Sequence, residues 1–210
     1  MRREARGVRC SAWILLALAL AVSGCGLGLT RPEPVKNYFL LETAAQPSID
    51  PPAYPFALKV TNVEVAPPFQ ERGLVYRLDE QRYESDFYNQ FFVVPRSMIT
   101  TQTAQWLGQR QIFSGVLTPA STFDASYTLE GLVNQLYADL RSGAQPATVF
   151  TMQVFVTHTL DRTIVMDRTY THTVYVPNRN PQSVVKGLSE GFQQCLAELE
   201  RDLRGLNLKP

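Results

Sequence analysis

From Pro181 to Leu206 the apolar residues Val185, Leu188, Phe192, Leu196, Leu199, Leu203 and Leu206 recur at three- and four-residue spacing. That spacing predicts one long α-helix with a single buried stripe. Asn180 stands where a cap is needed, and Pro181 where a missing N–H costs nothing. A second helix is predicted from Pro95, with Met98, Ile99, Trp106 and Leu107 on one side, although Gln102 and Thr103 interrupt that side. Between the two helices the period shortens to two. Tyr127 to Leu140 and Thr148 to Leu160 read as long strands flanking Arg141 to Pro146, and Ile164 to Val176 returns across Asp161 to Thr163. Together they predict an antiparallel meander. The apolar even positions Met152, Val154, Val156, Ile164, Met166 and Val174 imply a three-residue turn, which sets His158 opposite Met166 and His172 opposite Met152.

Upstream the strand signals are shorter. Val35 to Leu41 reads as a strand, and Thr43 to Pro55, with its prolines, as a surface loop. Ala57 to Ala66 reads as one strand in which neither face is cleanly apolar. Leu58, Val60, Asn62, Glu64 and Ala66 alternate there with Lys59, Thr61, Val63 and Val65. Pro67, Pro68 and Gly73 bound a turn, and Leu74 to Leu78 with Tyr83 to Phe87 form a hairpin across Asp79 and Glu80. Ile112 to Leu117 fits a strand or a loop. The predicted class is α/β, a mixed and largely antiparallel sheet packed with two main amphipathic helices.

The N-terminus follows other rules. Ser11 to Val22 is an apolar or small run well short of the about 20 residues that cross a bilayer core. Arg2, Arg3, Arg6 and Arg9 precede it, and Ser23 and Gly24 follow, the layout of a secretory signal peptide over residues 1–24. Val22-Ser23-Gly24-Cys25 resembles the bacterial lipobox. That resemblance implies cleavage after Gly24, an S-diacylglycerol on the Cys25 thiol and an acyl chain on its new amine. The alternative is an ordinary cleavage site beside an unmodified cysteine. Residues 25–34 then form a lipidated N-terminus and tether, and residues 35–210 a single periplasmic domain. The stretch from Gly26 to Pro34 spans at most about 30 Å. Gly26 is not the aspartate that retains many lipoproteins at the inner membrane, so the expected destination is the outer membrane, facing the periplasm.

Charge changes the picture only after the signal is removed. The whole chain carries +1, and its first 24 residues hold four Arg and one Glu, so +1 minus +3 leaves −2. No basic excess remains for nucleic acid. Of three cysteines, Cys10 leaves with the signal and Cys25 is acylated, so Cys195 has no disulfide partner. The core alone must hold the fold.

Candidate chemistry is sparse. Gly187-Leu188-Ser189-Glu190-Gly191 fits the G-x-S-x-G elbow of lipases, but the elbow needs a strand before the serine, and Ser189 lies inside the strongest helix. Both histidines also precede it. His158 and His172 stand too far apart to share a metal in the predicted register, and Cys195 reads as a small core residue. Glu198, Glu200 and Asp202, alternating with Arg201 and Arg204, read as a solvated helix face. No catalytic residue and no metal site is predicted. The remaining signal is Phe87-Tyr88-Asn89-Gln90-Phe91-Phe92-Val93-Val94-Pro95. Most of these aromatics belong in a core, and a minority would line a surface for a partner or an acyl chain. The candidate partner or lipid surface comprises Phe69, Arg72, Tyr88, Phe91 and Phe92.

The mature chain resembles the ABC-type transport auxiliary lipoproteins, also described as PqiC-like, from Tyr38 to about Leu206. The resemblance rests on Tyr38-Phe39-Leu40-Leu41, on VEVAPPFQERGLVYR from Val63 to Arg77, on FYNQFFVVP and on the closing helix. Many relatives carry an Arg-Trp-Ala-Glu-like segment where this chain has Tyr88 to Phe92. The resemblance implies a fold similar to the N-terminal domain of TolB and a non-enzymatic role without cofactors beyond the Cys25 acyl groups. It also implies membrane attachment through the lipid and partnership with an MCE-domain protein and an ABC permease and ATPase that move lipids or apolar compounds between the membranes. A lipid ligand and self-association are left open. The competing reading is an assembly or pilot lipoprotein for a β-barrel or secretin.

Overall fold

A computed structural model describes residues 35–209. The signal peptide, Gly24, Cys25 and the tether lie outside the described residues. The organising element is β7 (Tyr127–Asp139), a strand long enough to take several partners along one edge. On that edge it pairs in parallel with β2 (Tyr54–Val60), β3 (Glu64–Val65) and β4 (Gly73–Arg77) in succession. On its other edge it runs antiparallel to β8 (Ala147–His158), which pairs antiparallel with β9 (Ile164–Tyr175). β6 (Phe113–Leu117) extends the sheet beyond β2, so this stretch is a strand. β5 (Tyr83–Phe91) and then β1 (Asn37–Phe39) extend it beyond β4. The predicted class and meander are both present.

The stretch predicted as one strand, Ala57 to Ala66, divides into β2 and β3, and parity explains why. Leu58, Val60, Val63 and Val65 are all buried. A continuous strand would send the first pair and the second to opposite faces. The break at Thr61 to Val63 returns both pairs to the core side. It is held by Thr61 donating from its backbone N–H to the Leu129 carbonyl and by Val63 donating to Thr100 Oγ1, each at 2.9 Å.

Helix α1 (Pro95–Gln109) and helix α2 (Pro181–Gly205) cover the core side. In α1 the predicted interruption holds at Thr103, which is buried beside Met98, Ile99, Trp106 and Leu107; Gln102 is only half-buried, and Thr100 is the second buried polar residue. α2 follows its prediction, with the Asn180 side chain accepting from the Ser183 N–H at 2.8 Å and the apolar stripe buried. Phe192 on α2 stacks on Phe150 of β8 at 5.0 Å between ring centroids. The helix comes close because a Cβ on Gly187 would stand 2.7 Å from both Thr148 Oγ1 and Val176 Cγ1, and one on Gly191 3.3 Å from Phe150 Cβ.

Two sequence expectations need correction. The β8–β9 register is offset by two residues from the predicted one, so His172 faces Phe150 and Met152 faces Tyr170. The connection from Thr159 to Thr163 is longer than three residues, with a register irregularity after Val156 and Arg162 at φ 59°. The acidic face of α2 is also less solvated than predicted. Glu200 is buried and meets Arg110 Nε at 2.7 Å and Arg204 Nε at 3.2 Å. Asp202 accepts from the Tyr170 hydroxyl at 2.8 Å, and Glu198 stands 3.5 Å from His172 Nε2. Glu200→Ala should therefore lower stability by about 2 kcal/mol, because two half-buried guanidinium groups lose their counter-charge. Urea denaturation measures this, and a change within error would show that water replaces the carboxylate at no cost.

Candidate functional site

Among the described residues, eight of the fourteen exposed large apolar side chains fall within Val35–Leu40 or Phe87–Val94. These two segments are neighbours because β1 lies parallel to β5, with Asn37 opposite Asn89 and Phe39 opposite Phe91. Alternation separates the neighbours Phe91 and Phe92, and the register shift between Ser85 and Gln90 takes Phe87 out of that pattern. Phe91 points to the core and is 2% exposed, whereas Phe92 is 60% exposed and Phe87 62%.

The exposed rings form two pairs, each with a cation beside it. Tyr38 meets Phe92 edge to face at 6.1 Å, and Phe87 meets Tyr88 in the same manner at 5.1 Å. Two cations lie over them: Lys36 Nζ is 3.9 Å from the Phe87 centroid, and the Arg72 guanidinium carbon is 5.2 Å from that of Tyr38. Arg72 is fixed further by donating from Nε to the Phe91 carbonyl at 2.9 Å.

Asp86 shapes the irregular middle of β5, where the register against β4 shifts between Ser85 and Gln90. Its Oδ1 accepts from the backbone N–H groups of Tyr88 at 2.8 Å and Asn89 at 3.0 Å, and its Oδ2 from the Tyr76 hydroxyl and the Asn89 side chain. Burial pushes the Asp86 carboxyl upward, but these hydrogen bonds outweigh it and hold the group below its ordinary range. An ionised Asp86 thus pins the Phe87-Tyr88-Asn89 segment of β5. The Tyr76 hydroxyl is raised by its burial first and by Asp86 second.

Of the predicted surface residues, Arg72, Tyr88 and Phe92 come together here. Phe69 and Phe91 do not: Phe69 is 8% exposed and stacks on Tyr137 at 6.0 Å, so both rings belong to the core. Tyr38, Lys36 and Phe87 belong to the surface and were absent from the predicted set. Only the pairing of β1 with β5, a contact between distant segments, reveals them.

An open cleft of about 480 Å³ adjoins this edge between α2 and the chain after β1, with Phe39, Leu40, Val185, Lys186, Ser189 and Gln193 in its walls. Ser189 Oγ accepts from the Glu42 N–H at 3.2 Å, and Gln193 Oε1 from the Ala44 N–H at 3.1 Å. The serine sits mid-helix, and its hydroxyl ties down the segment that leaves β1. That geometry is not a nucleophile elbow.

The chain matches the family described as "ABC-type transport auxiliary lipoprotein component" over residues 38–200. It belongs to that family. Solved structures agree on the fold. A protein from Xanthomonas campestris assigned to family DUF330 superposes with a TM-score of 0.70 at 15% identity, covering 78% of this chain and 92% of its own. An uncharacterized protein does so with 0.64 at 18% identity, covering 80% and 98%. No curated protein matches the chain. The family is one of auxiliary transport components and not of enzymes.

The remaining candidate groups of this auxiliary component have structural partners. His158 Nδ1 lies 2.9 Å from Asp161 Oδ1. Eight residues of β8 separate His158 from Phe150, the residue opposite His172, which is about 26 Å of strand. Among the described residues no cluster of His, Cys, Asp or Glu is suited to a metal, and no helix is long and apolar enough to cross a membrane. Cys195 is fully buried, and that burial first, then Glu198, pushes its thiol up to about 12. In a Cys25→Ser protein, Cys195 should resist a thiol-disulfide reagent at pH 8 and react fully only in denaturant. Rapid native labelling would reveal frequent opening of the α2 interface.

Proposed function

We propose that this protein is the lipid-anchored, periplasm-facing accessory of an ABC-type transport system that moves lipids or other apolar compounds between the inner and outer membranes. The observation that carries the reading is the family match, which covers nearly the whole described domain. In this reading Cys25 bears the S-diacylglycerol and N-acyl groups and fixes the domain to the outer membrane. ATP hydrolysis takes place in the inner-membrane ATPase, and an MCE-domain protein bridges the periplasm toward this domain. The protein contributes position and docking, and no bond-breaking step passes through its side chains.

The test is affinity purification of the full-length protein from bacterial membranes in mild detergent, with mass spectrometry of whatever accompanies it. Recovery of an ABC permease or ATPase with an MCE-domain protein supports the proposal. Recovery of a secretin or another β-barrel without a transporter would overturn it in favour of a pilot role.

A further inference from the structure

The sequence leaves two occupants open for the aromatic surface, a protein partner and lipid. We propose that the β1–β5 edge is a membrane-contact surface, with Tyr38, Phe87, Tyr88 and Phe92 seated at the headgroup level of the leaflet that holds the Cys25 anchor. The proposal rests on the lipoprotein reading of Cys25 and adds to it an orientation for the domain.

Position is the first argument. β1 is an outer strand of the sheet, at the opposite edge from β9. Val35, the first described residue, is 79% exposed just before it. Only residues 26–34 separate this edge from Cys25, a reach of at most about 30 Å. An acylated Cys25 therefore confines the aromatic edge to the neighbourhood of the lipid surface. β9 lies across the full width of the sheet.

Chemistry is the second argument. Tyrosine and phenylalanine rings beside cations make up the pattern of an interfacial belt, where rings sit among headgroups and positive charges meet lipid phosphates. Lys36 and Arg72 supply those charges while lying over the exposed rings. The arrangement is preorganised, since Asp86 fixes the backbone that carries the exposed Phe87 and Tyr88, and Arg72 is pinned to the Phe91 carbonyl. Little ordering entropy remains to be lost on contact.

Energetics make a modest surface sufficient. The acyl chains supply the lasting attachment. The aromatic edge then needs only to bias orientation at the high local lipid concentration that tethering creates. A domain oriented in this way would present β9 and the far end of the sheet toward the periplasm, where a transport partner would arrive.

Flotation of the Cys25→Ser protein, purified without lipid, on vesicles of phosphatidylethanolamine and phosphatidylglycerol tests the surface apart from the anchor. Measurable partition that strengthens with phosphatidylglycerol and weakens with salt is the expected result. Phe87→Ser with Phe92→Ser should reduce it at least about tenfold while circular dichroism stays unchanged. Tyr175→Ser, on the exposed face of β9, should leave it unaltered. Absence of flotation, or equal flotation of the double variant, would overturn the proposal. So would a monomer–dimer equilibrium abolished by the same double variant, because a second copy would then occupy the edge. Intact mass of full-length protein from bacterial membranes tests the anchor separately. An unmodified Cys25 would defeat the lipoprotein reading and the proposed leaflet assignment, whatever the flotation result.

Discussion

Gly187→Val should destabilise the domain by about 3–4 kcal/mol, a large share of the roughly 5–15 kcal/mol that holds a typical domain folded. A Cβ alone at this position meets Thr148 Oγ1 and Val176 Cγ1 at 2.7 Å, and both neighbours are themselves packed, Thr148 at 1% exposed and Val176 at 4%. Branched methyls would force α2 off the meander and weaken the Phe192–Phe150 stack one turn further on. Gly108→Ala is the control with the opposite sign. It also lies in a helix, but nothing stands within 4 Å of its added Cβ, so it should stabilise by about 0.5–1 kcal/mol through helix propensity. Urea midpoints of the two variants measured together would separate the packing constraint from the propensity gain. Equal shifts for both would show that the α2 contact yields freely.

The same glycines explain a false signal in the sequence. Gly187 and Gly191 flank Ser189 in the spacing of a hydrolase motif, yet each is small because a helix rests on a sheet there. Strong periodicity made α2 and the meander legible, whereas α1, whose buried side includes threonines, was legible from Pro95 and a few apolar positions. Three features were not legible, each for a physical reason. The break between β2 and β3 appeared only as an absent apolar face, because a parity change in one chain has no local marker. The His172 register depended on the length of the Thr159 to Thr163 connection, which apolar alternation alone underestimates. Phe91 and Phe92 are adjacent and chemically identical, and only the pairing of β5 with β1 decides that the first is core and the second surface.

Cys25→Ser in the full-length chain should move the protein from the membrane fraction to the soluble periplasm and abolish its transport phenotype. Each buried methylene of an acyl chain contributes roughly 0.8 kcal/mol, so two or more chains make attachment effectively permanent, whereas an aromatic surface alone gives only reversible partition. The loss of activity follows from geometry. A domain acylated at Cys25 would be held within about 30 Å of the bilayer by residues 26–34, and a free one would be diluted through the whole periplasm. Gly26→Asp gives an independent check, because it leaves Cys25 and the lipobox-like Val22 to Cys25 in place and alters only the expected sorting position. In a bacterium that reads this position, the protein should remain membrane-bound but shift to the inner membrane. Fractionation on a density gradient, combined with complementation of a deletion strain, reads both outcomes. Full complementation by a Cys25→Ser protein confirmed to be soluble would show that its protein partner alone positions the domain, and the anchor would lose its place in the mechanism.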